Sequence, residues 1–221
     1  PNKNKIVELL DELSPEAQLI GAVNTVLNDN GKLIGYNTDG YGFMQSVRDA
    51  GHDITGKNIT VMGVGGASMA ICAQSALDGA ASVHIFARRT SRYWNRTQKF
   101  AENLSAKTGC QVCLFDNDDH TALRDSIAQS YLLINATSVG MVPDIDDTII
   151  KDTSLFHPEL VVADVVYEPQ ETRLLREAKA AGCQTFNGMY MLLHQGAKAF
   201  QIWTGQEMPV SVIKEKYFSV K

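Results

Sequence analysis

Ile59-Thr60-Val61-Met62-Gly63-Val64-Gly65-Gly66-Ala67, followed by a helix-like stretch from Met69 to Leu77, decides the fold of this 221-residue chain. An apolar run ends in a cluster of glycines, and a segment of helix formers begins at once. Strand, glycine turn and helix in that order make a cradle for a pyrophosphate. Gly63 lets the chain turn tightly, and Gly65 removes the Cβ that would block a phosphate. The free N–H groups and positive end of the helix attract the anion. A glycine cluster alone also fits a tight turn that holds nothing, so its flanks must carry the reading.

From about residue 56 to residue 187 the chain alternates strand and helix. Strands are predicted at 58–62, 82–86, 111–115, 131–134, 161–165 and 184–186, with helices over 67–79, 91–107, 119–129 and 170–181. This alternation implies right-handed βαβ units and an α/β, Rossmann-like doubly wound parallel sheet. Tyr131-Leu132-Leu133-Ile134 and Leu160-Val161-Val162-Ala163 suit strands buried on both faces. Their C-terminal ends deliver Asn135-Ala136-Thr137 and Val166-Tyr167-Glu168-Pro169, where such sheets bind ligands.

Residues 1 to about 55 have a different pattern. Lys5 to Leu10 suggests a short helix, and Ser14-Pro15-Glu16 has the form of an N-cap with proline in the first turn. Asn28-Asp29-Asn30-Gly31 lies between two β-rich runs, 22–27 and 32–36, and predicts a hairpin, because Asn and Gly both tolerate positive φ. Asn37-Thr38-Asp39-Gly40 then forms a turn before a helix from Tyr41 to Ala50. From Gly188 onward the pattern is helical, with Met189, Leu192, Leu193, Gly196, Ala197, Phe200 and Trp203 on one broad face. Two short helices are expected there, separated near Gly205 and Pro209.

A hydrophobic content of 44% and a charged content of 20% are those of an ordinary globular protein. The formal charge of −5 argues against a nucleic-acid partner, which needs a basic patch. No apolar run approaches the roughly 18 residues of a membrane span, and the start of the chain lacks the apolar core of a signal peptide, so a cytoplasmic location is expected. Cys72, Cys110, Cys113 and Cys183 are too few for a disulfide scaffold. Cys110-Gln-Val-Cys113 has the spacing of half a zinc site, but no second ligand pair follows, and no metal is expected. The five histidines lack ligand spacing and are expected to be structural or superficial.

Six segments, in order, resemble the shikimate dehydrogenase family, particularly its quinate/shikimate dehydrogenase branch. They are Pro1-Asn2-Lys3, Gly21-Ala22-Val23-Asn24-Thr25, Gly35-Tyr36-Asn37-Thr38-Asp39-Gly40, Gly63-Val64-Gly65-Gly66-Ala67-Ser68, Asn135-Ala136-Thr137-Ser138-Val139-Gly140-Met141, and Asn187-Gly188-Met189 through Gln195-Gly196-Ala197. The resemblance implies reversible, NAD(P)-linked oxidation of the shikimate 3-hydroxyl to the ketone of 3-dehydroshikimate, in the shikimate pathway of aromatic amino-acid biosynthesis. Quinate is the second substrate of the named branch. It further implies two domains: a partial α/β substrate domain (1–55), a dinucleotide domain (56–187) and C-terminal helices (188–221) that return to the substrate domain. The family's first βα units, with a serine pair for the substrate carboxylate, are not in this sequence. The chain is therefore read as N-terminally truncated, with weak or no turnover and with self-association through the surface left open.

Residue by residue, the resemblance makes Lys3 and Asp39 the catalytic pair, since removing a hydroxyl proton needs a positioned acid/base. Asn24, Tyr167 and Gln195 become substrate ligands; an amide donates and accepts at once, which suits neighbouring hydroxyls. Gly63, Gly65, Gly66, Ala67, Asn135, Thr137 and Gly188 fall to the cofactor. Lys3, so near the chain start, is expected to be poorly fixed. After the second strand, where an acid would favour NAD, stand Ala87-Arg88-Arg89-Thr90-Ser91-Arg92. Arg88 and Arg92 fall on the family's two phosphate-clamping arginines, so NADP is the expected cofactor and NAD the second candidate. The competing readings are a non-catalytic NAD(P)-binding module and another two-domain dehydrogenase, such as a methylenetetrahydrofolate dehydrogenase.

Overall fold

Apolar residues on both sides of each strand force the larger sheet to be covered twice. In the computed structural model, which describes residues 2–218, Ile59, Val61, Val83, Ile85, Leu132, Ile134, Val161 and Ala163 point to one core, and Met62, Phe86, Leu133, Leu160 and Val162 to the other. Pro1 of the first family motif and residues 219–221 lie outside the described residues.

The chain begins with a 3₁₀ turn, Lys5–Leu9, and then forms β1 (Glu12–Leu13), α1 (Pro15–Ile20), β2 (Thr25–Asp29), β3 (Lys32–Tyr36) and α2 (Asp39–Asp49). The large sheet follows with β4 (Asn58–Met62), α3 (Gly66–Leu77), β5 (Ser82–Ala87), α4 (Trp94–Thr108), β6 (Gln111–Asp116), α5 (His120–Gln129), β7 (Leu132–Asn135), β8 (Val161–Asp164), α6 (Arg173–Ala180) and β9 (Gln184–Asn187). The chain continues as α7 (Met189–Thr204) and α8 (Val210–Ile213), which runs into a π-helical turn, Lys214–Phe218.

All six strands of the large sheet are parallel, in the order β6-β5-β4-β7-β8-β9. This is the doubly wound arrangement expected, and its direction of winding reverses between β4 and β7. α3 and α4 cover one face through Ala70, Ile71, Ala73, Phe100 and Leu104. α5 and α6 cover the other through Leu123, Ile127, Leu174, Leu175 and Ala178.

In the first part, β2 and β3 form the predicted antiparallel hairpin around Asn30 (φ 52°) and Gly31 (φ 98°). Ser14 caps α1 as expected, its Oγ accepting from Ala17 N at 3.3 Å. Three expectations need correction. The two-residue strand β1 pairs in parallel with β3 and has no sequence period to announce it. α4 starts at Trp94 rather than residue 91, because Arg88–Tyr93 forms turns with no side-chain cap. The segment after Gly188 divides at Gly205 and Pro209 as expected, but its first helix, α7, is 16 residues long rather than short.

Two of the histidines have structural partners. His52 Nδ1 bonds Tyr131 Oη at 2.9 Å, and His84 Nδ1 bonds Ser126 Oγ at 2.9 Å. Burial holds both imidazoles below their ordinary value. As pH falls through about 6.5 the unfolded chain takes up these two protons, while the folded chain does so only further down. The stability present above that value is therefore lost progressively on acidification. Urea midpoints measured between pH 7 and pH 5 are expected to fall less steeply for a His52→Gln, His84→Gln variant than for the unaltered chain.

Candidate active site

The polar centre of the first part is built on the turn that starts α2. Asn37 Nδ2 donates to Ala22 O at 3.0 Å, and its Oδ1 accepts from Asp39 N at 3.1 Å, so one side chain fixes the turn to the loop before β2. Asn24 sits across from it. Its Nδ2 donates to Asp39 Oδ1 at 2.9 Å and to Thr38 Oγ1 at 3.0 Å, and its Oδ1 accepts from Thr38 N at 3.0 Å. Lys3 Nζ forms an ion pair with the other oxygen of Asp39. The Asp39 side chain is 4% exposed and that of Lys3 45%. A buried carboxylate thus holds an ammonium whose remaining hydrogens face outward, an arrangement that can pass a proton to or from an oxygen placed beside it.

Lys3 is also better fastened than its sequence position suggests. Lys3 O accepts from Val23 N at 2.8 Å, and Asn4 Nδ2 donates to Gly21 O at 2.6 Å. These bonds tie the backbone on either side of the lysine to the loop before β2.

The glycine turn lies at the reversal of winding. Gly63 has φ 110°, and a Cβ there would stand 2.8 Å from Thr137 Cγ2 and 2.9 Å from Ala136 O. Only glycine lets β4 and β7 end so close together. Ser68 Oγ closes the turn on Gly63 O at 2.6 Å. Gly65 and Gly66 have open space beside them, and α3 has neither a side-chain cap nor an acid in its first turn. Its leading N–H groups therefore present themselves to an anion.

Gly65, Gly66 and Ala67 form one wall of a 620 Å³ cavity whose other walls are Ala136–Ser138 and Val165–Glu168, with Tyr167 at its rim. The same glycines, with Lys3 and Asn4, line a second cavity of 120 Å³. The dinucleotide cradle and the Lys3–Asp39 pair are thus neighbours.

Asn135 was expected at the cofactor, but it is fully buried. Its Oδ1 accepts from Thr137 N and Oγ1 at 3.1 and 2.7 Å, and its Nδ2 donates to Val139 O and Asp164 Oδ1 at 3.1 and 3.0 Å. It shapes the wall rather than touching what the wall encloses. Asp164, which sequence reading missed, also accepts from Val166 N at 2.9 Å and Thr172 Oγ1 at 2.8 Å; burial pushes its carboxyl up from the ordinary value. The available signal was positional: Asn135 and Asp164 end adjacent strands in register. Gly188 abuts the same wall, since a Cβ on it would stand 2.1 Å from Val165 O.

Arg88, Arg89 and Arg92 are all exposed in the turn after β5. Arg89 lies over the Trp94 ring at 4.6 Å, and Arg92 over the Tyr93 ring at 4.7 Å. The nearby carboxylate of Asp116, at the end of β6, accepts from the backbone N–H groups of Arg89 and Asp118. Gln195 enters from α7, which crosses α2 so closely that a Cβ on Gly42 would stand 2.7 Å from Gln195 N and from Met191 O. Gln195 is thereby held one helical turn from Asp39. A larger cavity of 790 Å³ lies elsewhere on these helices, lined by Tyr41, Asp49, His194 and Lys214, and includes none of the predicted site residues.

Residues 188–216 match the family described as the shikimate 5'-dehydrogenase C-terminal domain. The chain is 52% identical over 218 residues to the shikimate dehydrogenase (NADP(+)) of Listeria innocua, covering 99% of the chain and 75% of that relative. It is 42% identical over 215 residues to the quinate/shikimate dehydrogenase of Escherichia coli, covering 97% of the chain and 74% of that protein. The crystal structure of shikimate 5-dehydrogenase from Listeria monocytogenes, in complex with shikimate and NAD, superposes with a TM-score of 0.94 at 52% identity, covering 97% of this chain and 74% of that one.

The α2–α7 crossing makes a paired prediction. Both Gly42 and Gly196 lie inside helices, where alanine ordinarily gains about 1 kcal/mol. Gly196 has nothing within 4 Å and should show that gain. Gly42 meets backbone, and overpacking of about 1–3 kcal/mol should outweigh it. Urea unfolding is expected to find Gly196→Ala more stable than the unaltered chain and Gly42→Ala less stable.

Proposed function

The chain belongs to the shikimate dehydrogenase family, and on that footing we propose that it interconverts shikimate and 3-dehydroshikimate with NADP, accepting quinate as a second substrate. The observation that carries this reading is the Lys3 ammonium, held by buried Asp39 and lining one cavity with Gly65 and Gly66. Residues 1–55 and 188–221 form the substrate half in this reading, and residues 56–187 the dinucleotide half. The protein is a cytoplasmic enzyme of aromatic amino-acid biosynthesis, and its partners are small molecules. Among the described residues no helix is long and apolar enough to cross a membrane.

The open space beside Gly65 and Gly66 fits a diphosphate, because side chains there would fill the cradle. The nicotinamide, when bound, accepts or returns the hydride. Lys3 hydrogen-bonds the reacting oxygen and moves its proton, while Asp39 keeps the ammonium in place. Asn24 and Gln195 hold the ring hydroxyls. Asn24 also fixes the Asp39 carboxylate, so one amide sets both the ligand and the group that orients the lysine. Tyr167 closes the junction between substrate and nicotinamide, beside the wall formed by Thr137 and braced by Asn135. Gly63 and Gly188 let the walls approach, and Ala67 leads the helix toward the phosphates. Arg88 and Arg92 take the 2′-phosphate as guanidinium forks.

Two measurements test this. Lys3→Met and Asp39→Asn are each expected to lower kcat by about 10²–10⁴-fold. Cofactor binding without shikimate-dependent reduction in the unaltered chain would favour a non-catalytic binding module instead. Arg88→Ala should weaken NADP by about tenfold and leave NAD unaffected, since only NADP carries the 2′-phosphate. An unchanged preference would remove the arginines from this role.

A further inference from the structure

A fourth arginine stands apart from the three that follow β5. Arg96 occupies the third position of α4, a 15-residue helix whose N-cap, Tyr93, makes no side-chain cap bond and whose first turn holds no acid. A cation at a helix N-terminus is opposed by the helix dipole, so nothing in α4 itself favours an arginine there. No ion pair joins Arg96 to a carboxylate among the described residues.

Its surroundings supply the reason. Arg96 lines the 120 Å³ cavity together with Gly65, Gly66, Lys3 and Tyr93. The positive ends of α3 and α4 both converge on this space, and two cationic side chains line it. No carboxylate is among its lining residues. The guanidinium is aimed across the cleft: Nη2 lies 3.7 Å from where a Cβ on Gly21 would stand, at the C-terminus of α1. The carbonyl end of α1 favours a cation beside it.

We propose that Arg96 binds the diphosphate of the dinucleotide, opposite the N–H groups of the glycine turn. The proposal rests on the dinucleotide reading above and deepens it. It gives the cradle a second side, supplied by α4, and joins that side to the substrate half through Gly21. A diphosphate is the part common to NADP and NAD, so Arg96 contributes to both and selects neither. In this it differs from Arg88 and Arg92, whose proposed target exists on NADP alone.

The test measures dissociation constants for NADP and NAD by quenching of intrinsic fluorescence, with Arg96→Ala and Arg96→Lys set against the unaltered chain. Thermal melts of the free proteins check that the fold is intact. The expected result is a loss of about tenfold for both cofactors in Arg96→Ala, with the NADP-to-NAD ratio unchanged, and a smaller loss in Arg96→Lys, which keeps the charge without the fork. A changed ratio would assign Arg96 to the 2′-phosphate, and a change confined to the KM for shikimate would assign it to the substrate. A lowered melting temperature with unaltered cofactor affinity would make it a strut between α1 and α4. Each of these three results overturns the proposal. Failure of the unaltered chain to bind either dinucleotide would overturn the cofactor reading itself, a result distinct from the others.

Discussion

Everything at the cleft depends on how closely two backbones meet where the sheet reverses its winding. β4 and β7 lie side by side, yet the connections from them leave in opposite directions, so a crevice opens at their C-terminal ends. The crevice stays narrow only because Gly63 turns with φ 110° against Ala136 and Thr137. A methyl group at that point would push the glycine turn away from the loop after β7 and widen the space between the cradle and its facing wall. The same device recurs between β8 and β9, where Gly188 sits against Val165 O. Two missing side chains therefore set the width of the site, and the buried polar network of Asn135, Asp164 and Thr172 holds the walls at that width.

The C-terminal segment is joined to the first part of the chain by helix packing and by a few directed bonds. α7 leaves β9 through Gly188 and runs directly onto α2. Gly42 lets the helix axes approach, His194 Nε2 meets Asp49 Oδ2 at 2.9 Å, and Trp203 Nε1 donates to Val26 O at 2.9 Å. α2 carries Asp39 at its first residue, so the helix that α7 grips is the one that presents the carboxylate. Gln195 and Asp39 are placed relative to each other by this close crossing.

The large sheet was legible because two-sided burial leaves near-continuous apolar runs such as 131–134 and 160–163, which few other structures produce. The hairpin was legible because Asn30 and Gly31 supply the two positive φ angles its turn requires. β1 was not: two residues have no period, and their partner strand is about twenty residues away. Within the site, Lys3, Asn24 and Asp39 were legible only as a set, through their order along the chain, since each alone fits a surface or turn role. Asn135 was misread because a polar residue at a strand end looks the same in sequence whether it faces a ligand or a buried partner. Asp164 was overlooked for the same reason.

The charge of the chain and the charge of its cleft have opposite signs. A formal charge of −5 would repel both a carboxylate substrate and a phosphorylated cofactor if it were spread evenly. It is not. Three carboxylates near the cleft are engaged from within: Asp39 by Lys3 and Asn24, Asp116 by backbone N–H groups, and Asp164 by Asn135, Val166 and Thr172; Glu168, on the wall of the larger cavity, is exposed. Against that one acid, the C-terminal edge of the sheet presents the leading N–H groups of α3, the arginines after β5 and the half-exposed ammonium of Lys3. Because the walls are apolar and narrow, this local field acts on a ligand through less water than the surface charge does. Attraction of anions to the cleft is thus a property of where the donors point, and the sign of the whole molecule has little part in it.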